Sequence, residues 1–188
     1  MSFVVLLDTS AIFSSAPRDT LLRAAESGLY RLALSKGILD ELARVLKEHY
    51  GDIDPSKFDR LVESIVAAFP EAIIEGYENL TPAMRNHEGD RHVLAAAVRA
   101  GAALIVTNDR DHFPAWACAP YDIDVQTPDE FLCHLWHLSP KEMRAILLAQ
   151  AEALRNPPQT VAQVVETLSR SVPHFADMAL SSLAEPSD

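Results

Sequence analysis

Four carboxylates, Asp8, Glu41, Asp90 and Asp109, stand in segments far apart along the chain. Carboxylates gathered in one place repel each other. Their ionised forms are tolerated only beside a bound cation or with a shared proton. An all-oxygen donor set selects hard ions such as Mg2+ or Mn2+. Such an ion clamps phosphoryl oxygens and acidifies a bound water, which is the chemistry of phosphodiester hydrolysis. Each acid alone has an ordinary explanation. Asp8 can cap a helix with Thr9 and Ser10, and Asp90 suits a first helical turn. Glu41 can be a solvated helix face, and Asp109 beside Asn108 is ordinary turn chemistry. Convergence of all four is what would make a site.

The elements predicted around them favour convergence. Val4 to Leu7 is a short apolar run of the kind that forms a buried parallel strand, and Asp8 follows it directly. A helix is expected from Arg18 to Ser27, ended by Gly28, and a second strand from Leu29 to Leu34. A helix from Ser35 to about His49 carries Ile38, Leu42, Val45 and Leu46 on one face, with Glu41 one turn in. Asp54-Pro55 opens another helix with Phe58, Leu61, Ile65, Val66 and Phe69 apolar. Ala72 to Ile74 is a third strand, and Thr81 to Gly89 is a loop. Asp90 to Ala100 reads as a helix stopped by Gly101, then Ala102 to Val106 as a strand ending in Thr107-Asn108-Asp109. A turn-rich stretch leads to a last short strand near Ile123 to Gln126. Alternating strands and helices imply an α/β domain with a parallel sheet. In such sheets ligands bind beyond the carboxyl ends of the strands, where all four acids fall.

After Ser139-Pro140 the pattern becomes wholly helical, with helices over Lys141 to Leu154 and Thr160 to Ser171 and a short apolar one after Pro173. The expected division is an α/β domain over 1–137 and a helical C-terminal extension over 138–188. The extension's amphipathic helices suit packing on the domain's own sheet, or else a dimer or partner surface.

The 188 residues, 48% hydrophobic and 23% charged, describe a globular chain with enough apolar side chain for a core. Two cysteines, Cys118 and Cys133, exclude a disulfide scaffold and a thiolate zinc site. The opening MSFVVLLDTS has no basic region and reaches an acid within a few residues, so a soluble, cytoplasmic protein with no membrane association is expected. The net charge of −11 opposes simple binding to phosphate backbones. Acids collected in one cation-filled site, or a basic partner, would offset it.

The opening VVLLDTSAIFS, Glu41 within ILDELARVL, and above all GDRHVLAAAVRAGAALIVTNDRDHFP resemble the PIN domain nucleases, and within them the VapC-type toxins of toxin–antitoxin pairs. The resemblance covers residues 3 to about 133 and implies a PIN-like parallel sheet flanked by helices. It implies Mg2+- or Mn2+-dependent cleavage of RNA such as tRNA or ribosomal RNA. Asp8, Asp90 and Asp109 would hold the metal, and Glu41 would complete the shell or orient the attacking water. Thr9, Ser10, Thr107 and Asn108 would assist by hydrogen bonding. It also implies a homodimer and a small VapB-like antitoxin as partner. The chain departs from relatives where Asn86-His87-Glu88-Gly89 replaces further acids and where His112 replaces an acid before Phe113-Pro114. Asp111 and Glu88 are the acids that would substitute there.

Arg91 and Arg110 adjoin the acids and serve equally well as RNA contacts or as solvated arginines. His87, His92 and His112 flank the acids at a spacing that matches no zinc pattern, so His92 reads as structural and His112 as exposed. Trp116 and Trp136 suit a core or an interface better than base stacking. A phosphatase of the haloacid dehalogenase type needs a second Asp two residues after the first, where Ser10 stands. The non-enzymatic alternative is a catalytically weak PIN-fold module acting through a protein partner.

Overall fold

The computed structural model describes residues 3–184. In chain order the elements are β1 (Val4–Leu7), α1 (Thr9–Ile12), α2 (Ser15–Glu26), β2 (Arg31–Ser35), α3 (Lys36–His49) and α4 (Ser56–Ala68). They continue as β3 (Ile73–Ile74), α5 (Arg91–Ala100), β4 (Leu104–Val106), α6 (Ala115–Cys118) and β5 (Asp124–Gln126). Among the described residues four helices follow: α7 (Pro128–Leu138), α8 (Pro140–Ala153), α9 (Val161–Leu168) and α10 (Pro173–Ala184). Among the described residues no helix is long and apolar enough to cross a membrane.

The chain forms two compact units. One joins the residues up to Phe13 with Tyr30–Gln126, and the other joins Ser14–Leu29 with the chain from Thr127 onward. The first holds the expected sheet, all parallel, in the order β3-β2-β1-β4-β5. β1 is central: Val5 pairs with Leu32 on one side and Leu104 on the other. Its side chains alternate between two covered faces, which is why the run is continuously apolar rather than alternating. The strand order reverses between β1 and β4, so a crevice opens beyond their carboxyl ends.

α5 packs on β1, β2 and β4. Val93, Leu94, Ala95, Ala96 and Ala97 are all fully buried, and the small side chains let the helix lie close to its neighbours. Gly101 ends it at φ 62, a left-handed conformation that lets its N–H reach the carbonyls of Ala97 and Val98.

In the second unit, the buried Thr20 hydroxyl of α2 donates to Gln150 Oε1 of α8 at 2.7 Å, and Gln150 Nε2 donates to the Ala16 carbonyl. The Asp129 carboxylate accepts the backbone N–H groups of His174 and Phe175, capping α10.

Several boundaries differ from those expected. α2 starts at Ser15, not Arg18, and β2 starts at Arg31, not Leu29, because the Leu29 N–H closes onto the Ala24 carbonyl behind Gly28. The loop expected over 81–89 contains part of a 3-10 segment, Glu78–Ala83, and a 3-10 turn, Glu88–Asp90. α7, unassigned from sequence, is opened by a capping box in which Thr127 and Glu130 bond each other's backbone N–H. It precedes residue 137 yet belongs to the second unit. Trp136 is buried there against Phe175, whereas Trp116 of the first unit is 64% exposed.

Candidate active site

Asp8 leaves β1 with its backbone N–H on the Val106 carbonyl at 3.0 Å, so the sheet ladder carries the acid into the β1/β4 crevice. It stands at the N-cap of α1, yet its side chain makes no capping bond. Instead Asp8 Oδ2 accepts the Thr107 hydroxyl at 2.8 Å and the Ser10 hydroxyl at 3.0 Å. Asp8 is 3% exposed. Burial lifts its carboxyl above the ordinary value. The bonds from Thr107, Ser10 and the Thr9 backbone oppose the rise, and the neighbouring Asp90 charge adds to it. An anion held in such a place is one that a cation would relieve.

The loop after β4 is laced to the same point. Asn108 donates its backbone N–H to Ser10 Oγ at 2.9 Å and its side-chain amide to the Ser10 carbonyl at 2.8 Å. The Asp109 N–H reaches Thr107 Oγ1 at 3.0 Å. Thr107 and Ser10 each have one hydroxyl proton and both protons go to Asp8 Oδ2, so the 3.0 Å approach of their oxygens carries no proton, and the lone pairs of Thr107 accept the Asp109 N–H as those of Ser10 accept the Asn108 N–H. Glu41, on α3, is tied in by the Thr9 hydroxyl at 2.9 Å and by Arg44 at 3.3 Å.

Asp8, Glu41, Asp90 and Asp109 thus line a single open depression of about 410 Å³, with Thr9 and Ser10 in its wall. Thr107 and Asn108 lie behind it and fix Asp8 and Ser10 by the bonds above. Asp111 and Arg110 are placed elsewhere, in the wall of a different depression that also holds Asp122 and Asp124. Arg91 buries its Nε without a hydrogen-bond partner.

Sequence reasoning did not place His87 and His112 in the site, although both line it. Asp90 sits at the N-cap of α5 without capping it. Its Oδ2 instead faces His112 Nδ1 at 2.8 Å and His87 Nδ1 at 3.2 Å. The two rings stack with centroids 4.1 Å apart, and the His87 N–H bonds the His112 carbonyl. Their position beside Asp90 and Asp109 was the available signal. His92 lies half-buried in α5, with Nδ1 unpartnered and 3.1 Å from where a side chain on Gly37 would begin.

The donor chemistry suits a divalent ion: Asp8, Asp90 and Asp109 line one depression, the burial cost on Asp8 favours a nearby cation, and hydroxyl donors already orient that carboxylate, while the three ligand-type atoms that lie within 4.8 Å of one another among the described residues are those of His87, Asp90 and His112.

A family model described as "PIN domain" matches residues 4–111, which include all four acids, and one described as "VapC50 C-terminal domain" matches residues 128–181. Over 104 residues the chain is 43% identical to "Putative ribonuclease VapC50" of Mycobacterium tuberculosis, a match covering 55% of this chain and 62% of that protein. The aligned stretch is therefore less than two thirds of the relative's length. No solved structure matches the chain. With more than half of its residues matched, and with the parallel sheet and acidic depression described above, this chain belongs to the PIN domain family.

Proposed function

We propose that this chain is a divalent-metal-dependent endoribonuclease and the toxin of a VapBC-type toxin–antitoxin pair, active in the cytoplasm. The observation that carries the reading is the meeting of four acids from four separate segments in one depression at the β1/β4 crevice. The name of the 43% identical relative supports the ribonuclease class.

In this reading Asp8, Asp90 and Asp109 hold Mg2+ or Mn2+. A bound ion would supply charge neutralisation at the phosphoryl oxygens and would make a water acidic enough to attack phosphorus. Glu41, fixed by Thr9, orients that water and receives its proton. Thr107 and Ser10 keep the Asp8 carboxylate turned toward the depression. In-line attack by the water oxygen breaks the bond between phosphorus and the 3′-oxygen, which takes a proton from solvent, leaving a 3′-hydroxyl and a 5′-phosphate. The substrate is a structured RNA of the tRNA or ribosomal class. The protein is a homodimer, and a small VapB-like antitoxin silences it.

The test is incubation of purified protein with total RNA and Mg2+ or Mn2+. Discrete RNA fragments that vanish with a chelator support the reading. Intact RNA under every metal condition removes it and favours the catalytically weak binding module.

A further inference from the structure

Among the described residues, the grouping in which three ligand-type atoms lie within 4.8 Å of one another is His87, Asp90 and His112. Two of its three donors are nitrogens, and neither histidine belongs to the acid set assigned above. The two imidazoles stack at 4.1 Å with their planes 14° apart, and both present Nδ1 to one oxygen of Asp90. The in-plane lone pairs of stacked rings run side by side, so one ion shared by the two nitrogens requires these partly exposed rings to splay from the stack, while the three ligand atoms already lie within 4.8 Å of one another.

The spacing suits a small ion. Bonds of about 2.0–2.1 Å in tetrahedral geometry put neighbouring ligand atoms about 3.3 Å apart. The His87 and His112 nitrogens lie 3.2 and 2.8 Å from Asp90 Oδ2. The side chains of His87 and His112 are 56% and 41% exposed, so an ion reaches them from solvent directly. Imidazole favours borderline ions such as Zn2+ over hard Mg2+. Three protein ligands leave a fourth position open.

We propose that His87, Asp90 and His112 form a binding site for a borderline transition-metal ion, Zn2+ being the probe of choice, on the wall of the acidic depression. Asp90 belongs to both donor sets. Zn2+ held here withdraws that carboxylate from the hard-ion site, so the two ions compete. The competition rests on the metal-site reading given under the proposed function, but Zn2+ binding itself does not.

The experiment is Zn2+ titration of the full chain by calorimetry, with the electron paramagnetic resonance signal of bound Mn2+ followed in parallel. One Zn2+ should bind per chain, and the affinity should fall at least roughly tenfold in His87→Ala and in His112→Ala. Both variants should keep the circular dichroism spectrum and melting temperature of the parent. Zn2+ should displace Mn2+ from the parent but not from the double variant. Unchanged Zn2+ affinity in the double variant would overturn the site. Mn2+ and Zn2+ bound together without displacement would overturn the sharing of Asp90. Absence of RNA cleavage alongside histidine-dependent Zn2+ binding would sink the ribonuclease reading and leave this site standing.

Discussion

The Thr107 hydroxyl donates a 2.8 Å hydrogen bond to Asp8 Oδ2, joining the ends of β4 and β1 across 99 residues of sequence. Thr107 is fully buried and also receives the Asp109 N–H. One side chain therefore fixes two of the four acids.

Thr107→Val keeps the shape and removes the hydroxyl. It leaves the Asp109 N–H without its acceptor and Asp8 without its shortest hydrogen bond. The expected loss of stability is about 1–3 kcal/mol in urea unfolding. Mn2+ affinity should fall roughly 10- to 100-fold in calorimetry. A variant matching the parent in both would show that the bond positions nothing.

Asp8→Asn should stabilise the metal-free protein near neutral pH. Burial raises the folded-state pKa of Asp8 above 3.8, so the folded protein binds a proton more tightly than the unfolded chain. The stability this provides is present below the unfolded value and lost as pH rises through the folded one. The ionised carboxylate is then a cost that Asn avoids. Melting temperatures measured across pH should show a gain for Asp8→Asn that is largest near neutrality and shrinks toward about pH 4. A gain that grew on acidification would contradict the assigned direction.

Glu41→Gln should separate chemistry from folding. Gln still accepts from Thr9, and the lost pairing with half-exposed Arg44 is a surface contact worth less than about 1 kcal/mol. Cleavage should fall about 10²- to 10⁴-fold if Glu41 takes the proton from water. Parent-like turnover would leave Glu41 with the role of holding Thr9.

The sequence made the acids legible because each sits at a strand end or helix start that periodicity can locate. Glu41 and Asp109 were placed by the helix and strand that carry them, and both line the depression. The histidines were not legible. His87 and His112 are 25 residues apart, and they meet only because the 3-10 turns Glu88–Asp90 and Arg110–His112 fold two loops together. No local periodicity announces such turns. α7 carried a readable signal in Thr127 and Glu130, hidden by the short proline-bounded stretch before it. The grouping of α2 with the C-terminal helices rests on contacts such as Thr20 with Gln150, which span 130 residues and leave no trace in local pattern.

The packing of α5 is itself open to test. Ala96 is fully buried within the helix that brings Asp90 to the crevice. Ala96→Leu should overpack that contact and cost about 1–3 kcal/mol, read as a lower urea midpoint with an unchanged slope. An unchanged midpoint would mean the helix lies less tightly than described.

The most direct test of the metal-dependent ribonuclease account compares the parent chain with Asp8→Asn on the same RNA in Mn2+, after both are shown to be folded. The account predicts cleavage by the parent and none by the variant. Equal cleavage by the two would contradict it.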